Sequence, residues 1–399
     1  MTRALRRTWL ALAAVVGLAA VAFFGFVPAY MDGQLNRVAS HSPYVVSETA
    51  IRLHRQLTIA DLHSDVLLWP RDLLRRNSRG HTDVPRLIAG NVALQVFSAV
   101  TKVPKGLNYE RNQGTSDQLT LLLVAQGWPP ATWTSLSQRA LYEARKLRAA
   151  AARSAGRLVL AESREDVERF LARRAADSGM TAGVLSIEGL HALDGRLDMV
   201  DTLYAAGYRI MGLAHFFDNE VAGSAHGVAQ GGLTPLGRQV VQRMESLGIL
   251  VDLAHASPRT VDDVLAMARR PVVVTHTGVK GTCPGPRNLS DDQIRRIAAT
   301  GGVIGIGYWD GAVCEIDPAS VARAIRYASR IAGIDHVALG SDFDGATRTY
   351  FDASDLVLVT DALLAVGFRE DEIRRIMGGN VVRLLLQALP RTGQVRDRR

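Results

Sequence analysis

The sequence predicts an α/β protein, a (β/α)8 barrel of the TIM type with an amino-terminal transmembrane helix. The first observation is that eight short, β-rich apolar runs alternate with longer amphipathic stretches, which is typical of a closed parallel barrel. The second is that histidines and carboxylates stand at the ends of these runs. The third is an uncharged apolar stretch near the amino terminus. An open, doubly wound sheet is the alternative fold.

The apolar stretch extends from Trp9 to Tyr30 and follows an arginine-rich amino terminus. A run of about 20 such residues can cross the ~30 Å hydrocarbon core of a bilayer as a helix. Basic residues before the stretch and no basic cluster after it predict that the body lies on the outer, periplasmic or extracellular side. A cleaved signal peptide is the alternative, but no convincing small-x-small site follows Phe26, so we expect an uncleaved anchor.

The rest of the chain is expected to be one catalytic body. The predicted segments are an anchor at 1–30, a linker at 31–50, a barrel at 51–390 with an insertion at 101–168, and a basic tail at 391–399. The formal net charge is +8, but the two basic ends leave only +2 for the body, which predicts no nucleic-acid partner. Cys283 and Cys314 are too few for a disulfide framework, and whether they pair stays open.

The predicted strands place the polar residues of interest. They are Leu57–His63, Val92–Val100, Gly183–Glu188, Tyr208–His215, Gly248–His255, Pro271–His276, Gly302–Tyr308 and His336–Asp342. In a parallel barrel the carboxyl ends of all strands meet at one mouth, where barrel enzymes build their sites. Six of the eight runs deliver a candidate residue there, namely His63 with Asp65, Glu188, His215, His255, His276, and Asp342 with Asp344.

These side chains predict a metal centre. Residues two apart in a strand point to the same side, so His63 and Asp65 should face one cavity. Buried histidines and carboxylates need pairing or a metal to offset their desolvation. A ligand set without thiolates favours Zn²⁺, with Mn²⁺ or Co²⁺ as alternatives.

Three histidines, an aspartate and a glutamate suffice for two ions that share a carboxylate. Such ions, ~3.5 to 4 Å apart, can hold a metal-bridging hydroxide against a polarised carbonyl, which is hydrolytic chemistry. A carboxylated lysine could bridge instead, but no lysine ends a strand-like run. Glu188 is therefore the better candidate for the bridge.

Several ordered blocks resemble one enzyme family. They are Asp61–Asp65, His81–Leu87, Ile187–Gly189, Gly232–Gly237, Val251–Ser257, His276, Arg287–Asp292, Gly340–Gly345 and Gly378–Asn380. In these blocks the chain resembles, from about Leu57 to Leu386, the membrane or renal dipeptidases, binuclear zinc peptidases of the amidohydrolase barrel type. The resemblance implies a (β/α)8 barrel, two zinc ions per chain, dipeptide substrates and a possible homodimer.

Carried over position by position, the resemblance also implies residue roles. The implied ligands are His63 and Asp65 on one zinc, His255 and His276 on the other, and Glu188 bridging both. The implied substrate roles are His215 steadying the oxyanion, Arg287 receiving the carboxylate, and Asp342 handling the proton and the free amine. A dipeptide carries opposite charges at its two ends, so an arginine and an aspartate set apart could measure its length.

Some positions depart from the family pattern or stay without a role. Ser64 stands where the family often has asparagine, and its side chain should point away from the cavity. The loop Phe216–His226 differs from the family pattern, which leaves the preferred substrate side chain open. Asp61 receives no role.

The predicted activity is zinc-dependent hydrolysis of dipeptides. One alternative is another amide, β-lactam or N-acyl amino acid hydrolase of the same barrel. Arg287 separates these, because a substrate without a free carboxylate gives it little to bind. A second alternative is a catalytically silent barrel receptor. It is disfavoured because no expected ligand or acid–base position is missing.

Overall fold

The computed structural model describes residues 2–393 and contains a closed ring of eight parallel strands. The barrel strands are, in chain order, Ile59–Ser64, Val92–Val100, Thr181–Glu188, Tyr208–Gly212, Leu250–Asp252, Val273–Thr277, Val303–Ile306 and Val337–Leu339. Leu339 of the eighth strand pairs with Asp61 of the first, which closes the ring. The predicted (β/α)8 barrel is thus confirmed, and the open doubly wound sheet is excluded.

Helices surround the ring and connect successive strands. The α-helices that follow the amino-terminal region are Glu48–His54, Val84–Ala89, Leu119–Ala125, Ala131–Thr134, Leu136–Arg153, Arg164–Arg174, Met199–Ala206, Pro235–Leu247, Pro258–Met267, Asp291–Ala299, Asp310–Val313, Pro318–Ala332, Val357–Ala365, Glu370–Arg374 and Asn380–Ala388. Several begin where the sequence supplies a cap followed by proline. Thr234, Ser257 and Asp317 each accept a hydrogen bond from the backbone N–H three residues later, which satisfies a donor that the helix leaves free.

Some predicted strands are too long at their carboxyl ends. The fourth ends at Gly212 rather than His215, the fifth at Asp252 rather than His255, and the eighth at Leu339 rather than Asp342. In each case the ladder stops and the chain turns before the polar residue. These three side chains therefore lie on loops that the strands position.

The insertion adds structure outside the ring. It contains the helices Leu119–Ala125, Ala131–Thr134 and Leu136–Arg153. It also contains a ninth parallel strand, Leu158–Leu160, which pairs with Thr181–Gly183, the first residues of the third barrel strand.

The end of the barrel opposite the mouth is closed by the last helix, Asn380–Ala388. Val381, Leu384 and Leu385 of this helix share an apolar cluster with residues at the strand starts, such as Leu250 and Val303. Gly378, just before the helix, lies so close to the first strand that an added Cβ would stand 2.0 Å from the carbonyl oxygen of Thr58. Only glycine allows this approach.

The amino-terminal helix is continuous from Arg3 to Leu35 and is long and apolar enough to cross a membrane by length and composition. It consists of Arg3–Val21, a π-helical turn at Ala22–Phe26, and Val27–Leu35. The helix extends to Leu35, five residues into the segment 31–50 that the sequence predicts as a linker. Within it Asp32 is buried, and after the helix Arg37–Val38 pairs with Arg348–Thr349.

Two further outcomes concern the cysteines and the carboxyl terminus. Cys283 and Cys314 form a disulfide with their Cα atoms 5.4 Å apart, which settles the pairing that the sequence leaves open. The bridge joins the loop before Arg287 to the residue after the short helix Asp310–Val313. The predicted basic tail at 391–399 lies outside the described residues from 394 onward.

Candidate metal centre

The structure brings the eight predicted site residues together at the mouth of the barrel. Six of them line a cavity of about 160 Å³, namely Asp65, Glu188, His215, His255, Arg287 and Asp342. The other two, His63 and His276, lie beneath the cavity floor with 1 % of their surface exposed, and both reach Glu188. The mouth is thus a single site built from six strands and the loops that follow them.

Glu188 lies at the centre of the site. Its Oε2 atom is 3.4 Å from Nε2 of His63, 3.6 Å from Nε2 of His255 and 3.8 Å from Nε2 of His276. Its other oxygen, Oε1, is 3.0 Å from Nε2 of His215. One carboxylate therefore faces four imidazoles, although its side chain is only 4 % exposed.

The site contains buried polar atoms that have no hydrogen-bond partner among residues 2–393. They include both ring nitrogens of His63, Oδ1 of Asp65, Oε2 of Glu188 and Nδ1 of His255. Orphaned buried donors and acceptors are rare, and a convergent set calls for a ligand such as an ion. Nitrogen and carboxylate oxygen atoms within 4.8 Å of one another form three candidate metal groups, His63–Glu188–His276, Glu188–His215–His255 and His63–Asp65–Asp342. The residues present therefore fit metal ions.

These groups are not divided as the family resemblance implies. Glu188 occurs in two of them, as a bridging ligand would, and His63 also occurs in two. His276 is grouped with His63 rather than with His255, although the Nε2 atoms of His255 and His276 are only 2.9 Å apart. The assignment of each histidine to one zinc or the other stays a prediction.

Burial and charge act in opposite directions on the pKa values of this site. Burial alone would lower the pKa of His63, but Asp65 and Glu188 raise it well above its usual range. Burial would raise the pKa of Glu188, but His215 and the other imidazoles hold it well below its usual value. Burial raises the pKa of Asp342 far above that of an ordinary aspartate. The carboxyl groups of Glu188 and Asp342 therefore differ in their affinity for a proton, although both line the same mouth.

A second layer of hydrogen bonds holds these side chains. Oδ2 of Asp252 accepts a hydrogen bond from the hydroxyl of Thr275 at 2.6 Å, and this hydroxyl is 3.0 Å from Nδ1 of His276. Asp61, to which the sequence assigns no role, accepts hydrogen bonds from the backbone N–H and the hydroxyl of Ser341, both at 2.9 Å. It thereby ties the first strand to the loop that carries Asp342.

Two candidate residues adopt backbone conformations that the sequence does not indicate. His255 has φ 61° and Asp342 has φ 58°, both in the left-handed region that non-glycine residues rarely enter. These turns follow directly after short strands and direct both side chains into the cavity. Strain of this kind is found at functional sites, where the surrounding structure maintains it.

Arg287 also lines the cavity, and two hydrogen bonds hold its guanidinium group. Its Nη2 donates to the carbonyl oxygen of His276 at 2.6 Å, and its Nη1 donates to the hydroxyl of Thr277 at 3.3 Å. Its Nε has no partner within the described residues. The guanidinium therefore presents an unused donor in a buried setting.

The sequence did not single out the aromatic residues of the cavity. Tyr109 and Trp309 both line it, together with Phe216. Trp309 directly follows the seventh predicted strand, so its position at a strand end was a usable signal. Tyr109 comes from the insertion, and nothing local indicates that it reaches the mouth. The carbonyl oxygen of Tyr109 is 2.7 Å from Nδ1 of His226, which fixes the insertion to the loop after His215.

Comparison with known proteins places the chain in a family. A model of the membrane dipeptidase family, peptidase family M19, matches residues 47–394. An uncharacterized protein from the pqqA 5′ region of Klebsiella pneumoniae is 34% identical over 249 residues, covering 59% of this chain and 90% of that protein. Dipeptidase aclJ of Aspergillus oryzae is 28% identical over 357 residues, covering 83% of this chain and 78% of that enzyme.

Solved structures agree in fold. The probable dipeptidase PvdM from Pseudomonas aeruginosa superposes with a TM-score of 0.71 at 21% identity, covering 88% of this chain and 98% of that one. A metallo peptidase from Rhodobacter sphaeroides, liganded with a phosphinate mimic of the dipeptide L-Ala-D-Ala, gives a TM-score of 0.64 at 24% identity, covering 83% and 99%. The family match spans the whole barrel, and the chain therefore belongs to the membrane dipeptidase family and is a metallo-dipeptidase.

Proposed function

We propose that this chain binds two zinc ions at the barrel mouth and uses them to hydrolyse the peptide bond of dipeptides. The observation that carries the proposal is the position of Glu188, whose Oε2 faces the Nε2 atoms of three buried imidazoles at 3.4 to 3.8 Å. A carboxylate in this position suits a bridging ligand. The proposed ligands are His63, Asp65, Glu188, His255 and His276.

When bound, the two ions supply an activated water and polarise the carbonyl of the scissile bond. The chain supplies the remaining parts of the reaction. His215 lines the cavity beside Glu188 and can donate a hydrogen bond to the negative charge that develops on the carbonyl oxygen. Asp342 has a raised pKa, which suits a group that carries a proton to the departing amine.

Arg287 and Asp342 are proposed to recognise the two ends of the substrate. The free donor of Arg287 can receive the carboxylate, and Asp342 can receive the ammonium group. Both line the same cavity of about 160 Å³, which limits the length of the peptide between them. Names and ligands of relatives support this proposal, since aclJ is called a dipeptidase and the Rhodobacter sphaeroides protein binds a dipeptide mimic.

The test is hydrolysis of L-Ala-L-Ala and L-Ala-D-Ala, of the corresponding dipeptide amide, and of an N-acetylated amino acid, each with and without chelator. We expect rapid hydrolysis of free dipeptides that the chelator abolishes. Arg287→Ala should reduce kcat/KM for the dipeptide by about 100-fold, because a charge-assisted contact with the carboxylate is lost in a buried setting, and should have little effect on the amide. Arg287→Lys is the matched control, since it keeps the charge but not the planar fork.

Two outcomes of this test contradict the proposal. Unchanged turnover of the dipeptide by Arg287→Ala would refute the assigned role of this arginine. Faster hydrolysis of the N-acetylated amino acid than of any dipeptide would instead indicate an acyl amino acid hydrolase, which has no use for an ammonium contact at Asp342.

The proposed location is the outer side of a membrane, with the amino-terminal helix as an uncleaved anchor. The Cys283–Cys314 disulfide supports this side, because disulfides persist in oxidising compartments. A homodimer is part of the same proposal, and light scattering of the solubilised protein tests it.

A further inference from the structure

The last turns of the amino-terminal helix are built into the catalytic barrel. Asp32 is completely buried, and its Oδ2 lies 3.0 Å from Nε of Arg71 and 2.9 Å from Nε of Arg79. Both arginines belong to the loop that follows the first barrel strand, Ile59–Ser64. An ion pair with no exposed surface on Asp32 is unusual for a helix that serves only as a tether.

Arg71 extends this contact toward the active site. Its Nη2 lies 2.7 Å from Oδ1 of Asp344, and neither side chain has exposed surface. Asp344 also accepts hydrogen bonds from the backbone N–H groups of His81 at 2.8 Å and Thr82 at 3.0 Å. A buried arginine thus lies between one carboxylate of the anchor helix and one carboxylate of the loop that carries Asp342. Removing one member of such a set leaves a buried charge without full compensation.

A second connection runs parallel to the first. Nδ2 of Asn36 donates to Oδ1 of Asp32 at 2.9 Å, and Oδ1 of Asn36 accepts from the backbone N–H of Ala346 at 3.0 Å. The chain then forms the short strand Arg37–Val38, which pairs in parallel with Arg348–Thr349. The amino-terminal region therefore contacts the segment 344–349 directly at two places. The side chain of Asn36 binds the backbone N–H of Ala346, and the strand Arg37–Val38 pairs with Arg348–Thr349.

This segment forms one wall of the active site. Gly345, Ala346 and Thr347 line the cavity with Asp342. The hydroxyl of Thr347 donates to the carbonyl oxygen of Asp342 at 2.8 Å. A shift of the segment would therefore move the carboxyl group that is proposed to transfer the proton.

The segment needs support from outside because its own backbone is strained. Asp342, Asp344 and Ala346 have φ values of 58°, 66° and 57°, all in the left-handed region. Residues other than glycine are disfavoured in this region, so the conformation persists only when neighbouring groups maintain it. The contacts with Arg71 and Asn36 reach two of these three residues.

We propose that Asp32 is a positioning residue for the proton-transfer loop 342–349, so that the anchor's last turns are part of the catalytic unit. This inference rests on the proposed dipeptidase function. Asp32 acts through Arg71 and Asp344, with Asn36 as the second contact. It does not touch substrate or any proposed metal ligand.

The experiment uses the full chain in detergent and compares wild type with Asp32→Asn, which removes the charge and keeps the size. We expect kcat to fall about 10-fold to 100-fold, because small displacements of a catalytic group have effects of this order. KM should change less than kcat, because Arg287 lies on a different loop and still binds the substrate carboxylate, although Asp342 also contacts the ammonium group. Zinc content should stay at the wild-type level. Hydrogen exchange of peptides covering 342–349 should become faster.

Two further variants complete the experiment. Asp201→Asn is the matched control, because Asp201 and Arg243 form a half-exposed ion pair on the outer helices, and it should leave kcat and exchange unchanged. Asn36→Ala removes the hydrogen bond to Ala346 and should accelerate exchange of the same segment even if Asp32→Asn does not fold. Wild-type kcat and wild-type exchange in both Asp32→Asn and Asn36→Ala would overturn the inference.

The same data separate this inference from the proposed function. If the wild-type chain hydrolyses no dipeptide, the proposed function fails, while the exchange rates of segment 342–349 still decide whether Asp32 holds the loop. Uniformly faster exchange over the whole barrel, with loss of zinc, would show a general folding role and contradict the positioning role.

Discussion

Two buried histidines at opposite ends of the barrel show how a structural site differs from a functional one. His54 lies near the strand starts, where its Nδ1 is 2.8 Å from the hydroxyl of Thr360 and its Nε2 is 3.2 Å from the carbonyl oxygen of Gly90. His63 lies at the mouth, is even less exposed, and neither of its ring nitrogens has a hydrogen-bond partner in the part of the chain that the structure describes. Instead it lies beside the carboxylates of Asp65 and Glu188.

The difference teaches that burial alone does not identify a functional histidine. Protein groups satisfy both nitrogens of His54, so its burial needs no ligand. Within the described residues the nitrogens of His63 have no hydrogen-bond partner and lie beside carboxylates, an arrangement that suits a metal ligand.

Glu188→Gln should be the most damaging change at the mouth. The amide keeps the shape but loses the negative charge that faces the imidazoles, so both metal ions should bind more weakly. We expect kcat/KM to fall by more than about 1,000-fold, equivalent to several kcal/mol of transition-state stabilisation. Metal content measured by mass spectrometry should decrease for both ions together. Loss of one ion with full retention of the other would argue against a bridge.

His63→Asn and His54→Asn form a matched pair across the two ends. His63→Asn should reduce activity by about 100-fold or more and mainly affect one metal ion, because a direct ligand is lost. His54→Asn should leave kcat unchanged and lower the free energy of unfolding by about 1–3 kcal/mol, because hydrogen bonds to Thr360 and Gly90 are disturbed. Kinetics and denaturant unfolding measure the two effects. Equal loss of activity in His63→Asn and His54→Asn would contradict the distinction between a metal ligand and a structural histidine.

The pH dependence of the free energy of unfolding should show that His54, at the closed end of the barrel, is buried in its neutral form. Burial lowers the pKa of His54 to about 4, against the opposing effect of its hydrogen bond to Gly90. In the unfolded chain the value is ~6.5, so between these values the unfolded state binds more protons than the folded state. The contribution of neutral His54 to the free energy of unfolding is therefore complete above pH ~6.5 and is lost as the pH falls toward about 4.

The size of this effect is on the order of 2–3 kcal/mol. It is measured as the difference between wild type and His54→Asn in urea unfolding at pH 7 and pH 4.5, which cancels contributions from other groups. We expect the variant to show the shallower dependence. Parallel curves for the two proteins would mean that His54 is not held neutral by burial.

The sequence predicted the barrel and much of the mouth because both follow from short-range patterns. The second strand was predicted with the observed bounds, since Val92–Val100 is a continuous apolar run. Glu188 ends its strand as predicted. A spacing of two in a strand predicted that Asp65 faces the cavity with His63. Both do lie at the mouth, but the strand ends at Ser64, so strand alternation is not what directs Asp65.

The remaining features depend on contacts between distant parts of the chain. The left-handed turns at His255 and Asp342 have no local signal such as glycine at the turning residue. The buried position of Asp32 depends on arginines that follow the first strand, and Tyr109 reaches the cavity from an insertion. Each of these depends on tertiary packing, which a reading of local periodicity does not contain.

The central claim is that the unpaired atoms around Glu188 hold two metal ions, and metal analysis tests it most directly. The full-length protein is purified without chelator, and its zinc is counted by mass spectrometry before and after chelation and re-addition of metal. We predict about two zinc ions per chain, with dipeptide hydrolysis lost on chelation and restored with zinc. Fewer than about one zinc per chain, with no hydrolysis recovered on adding metal, would contradict the claim.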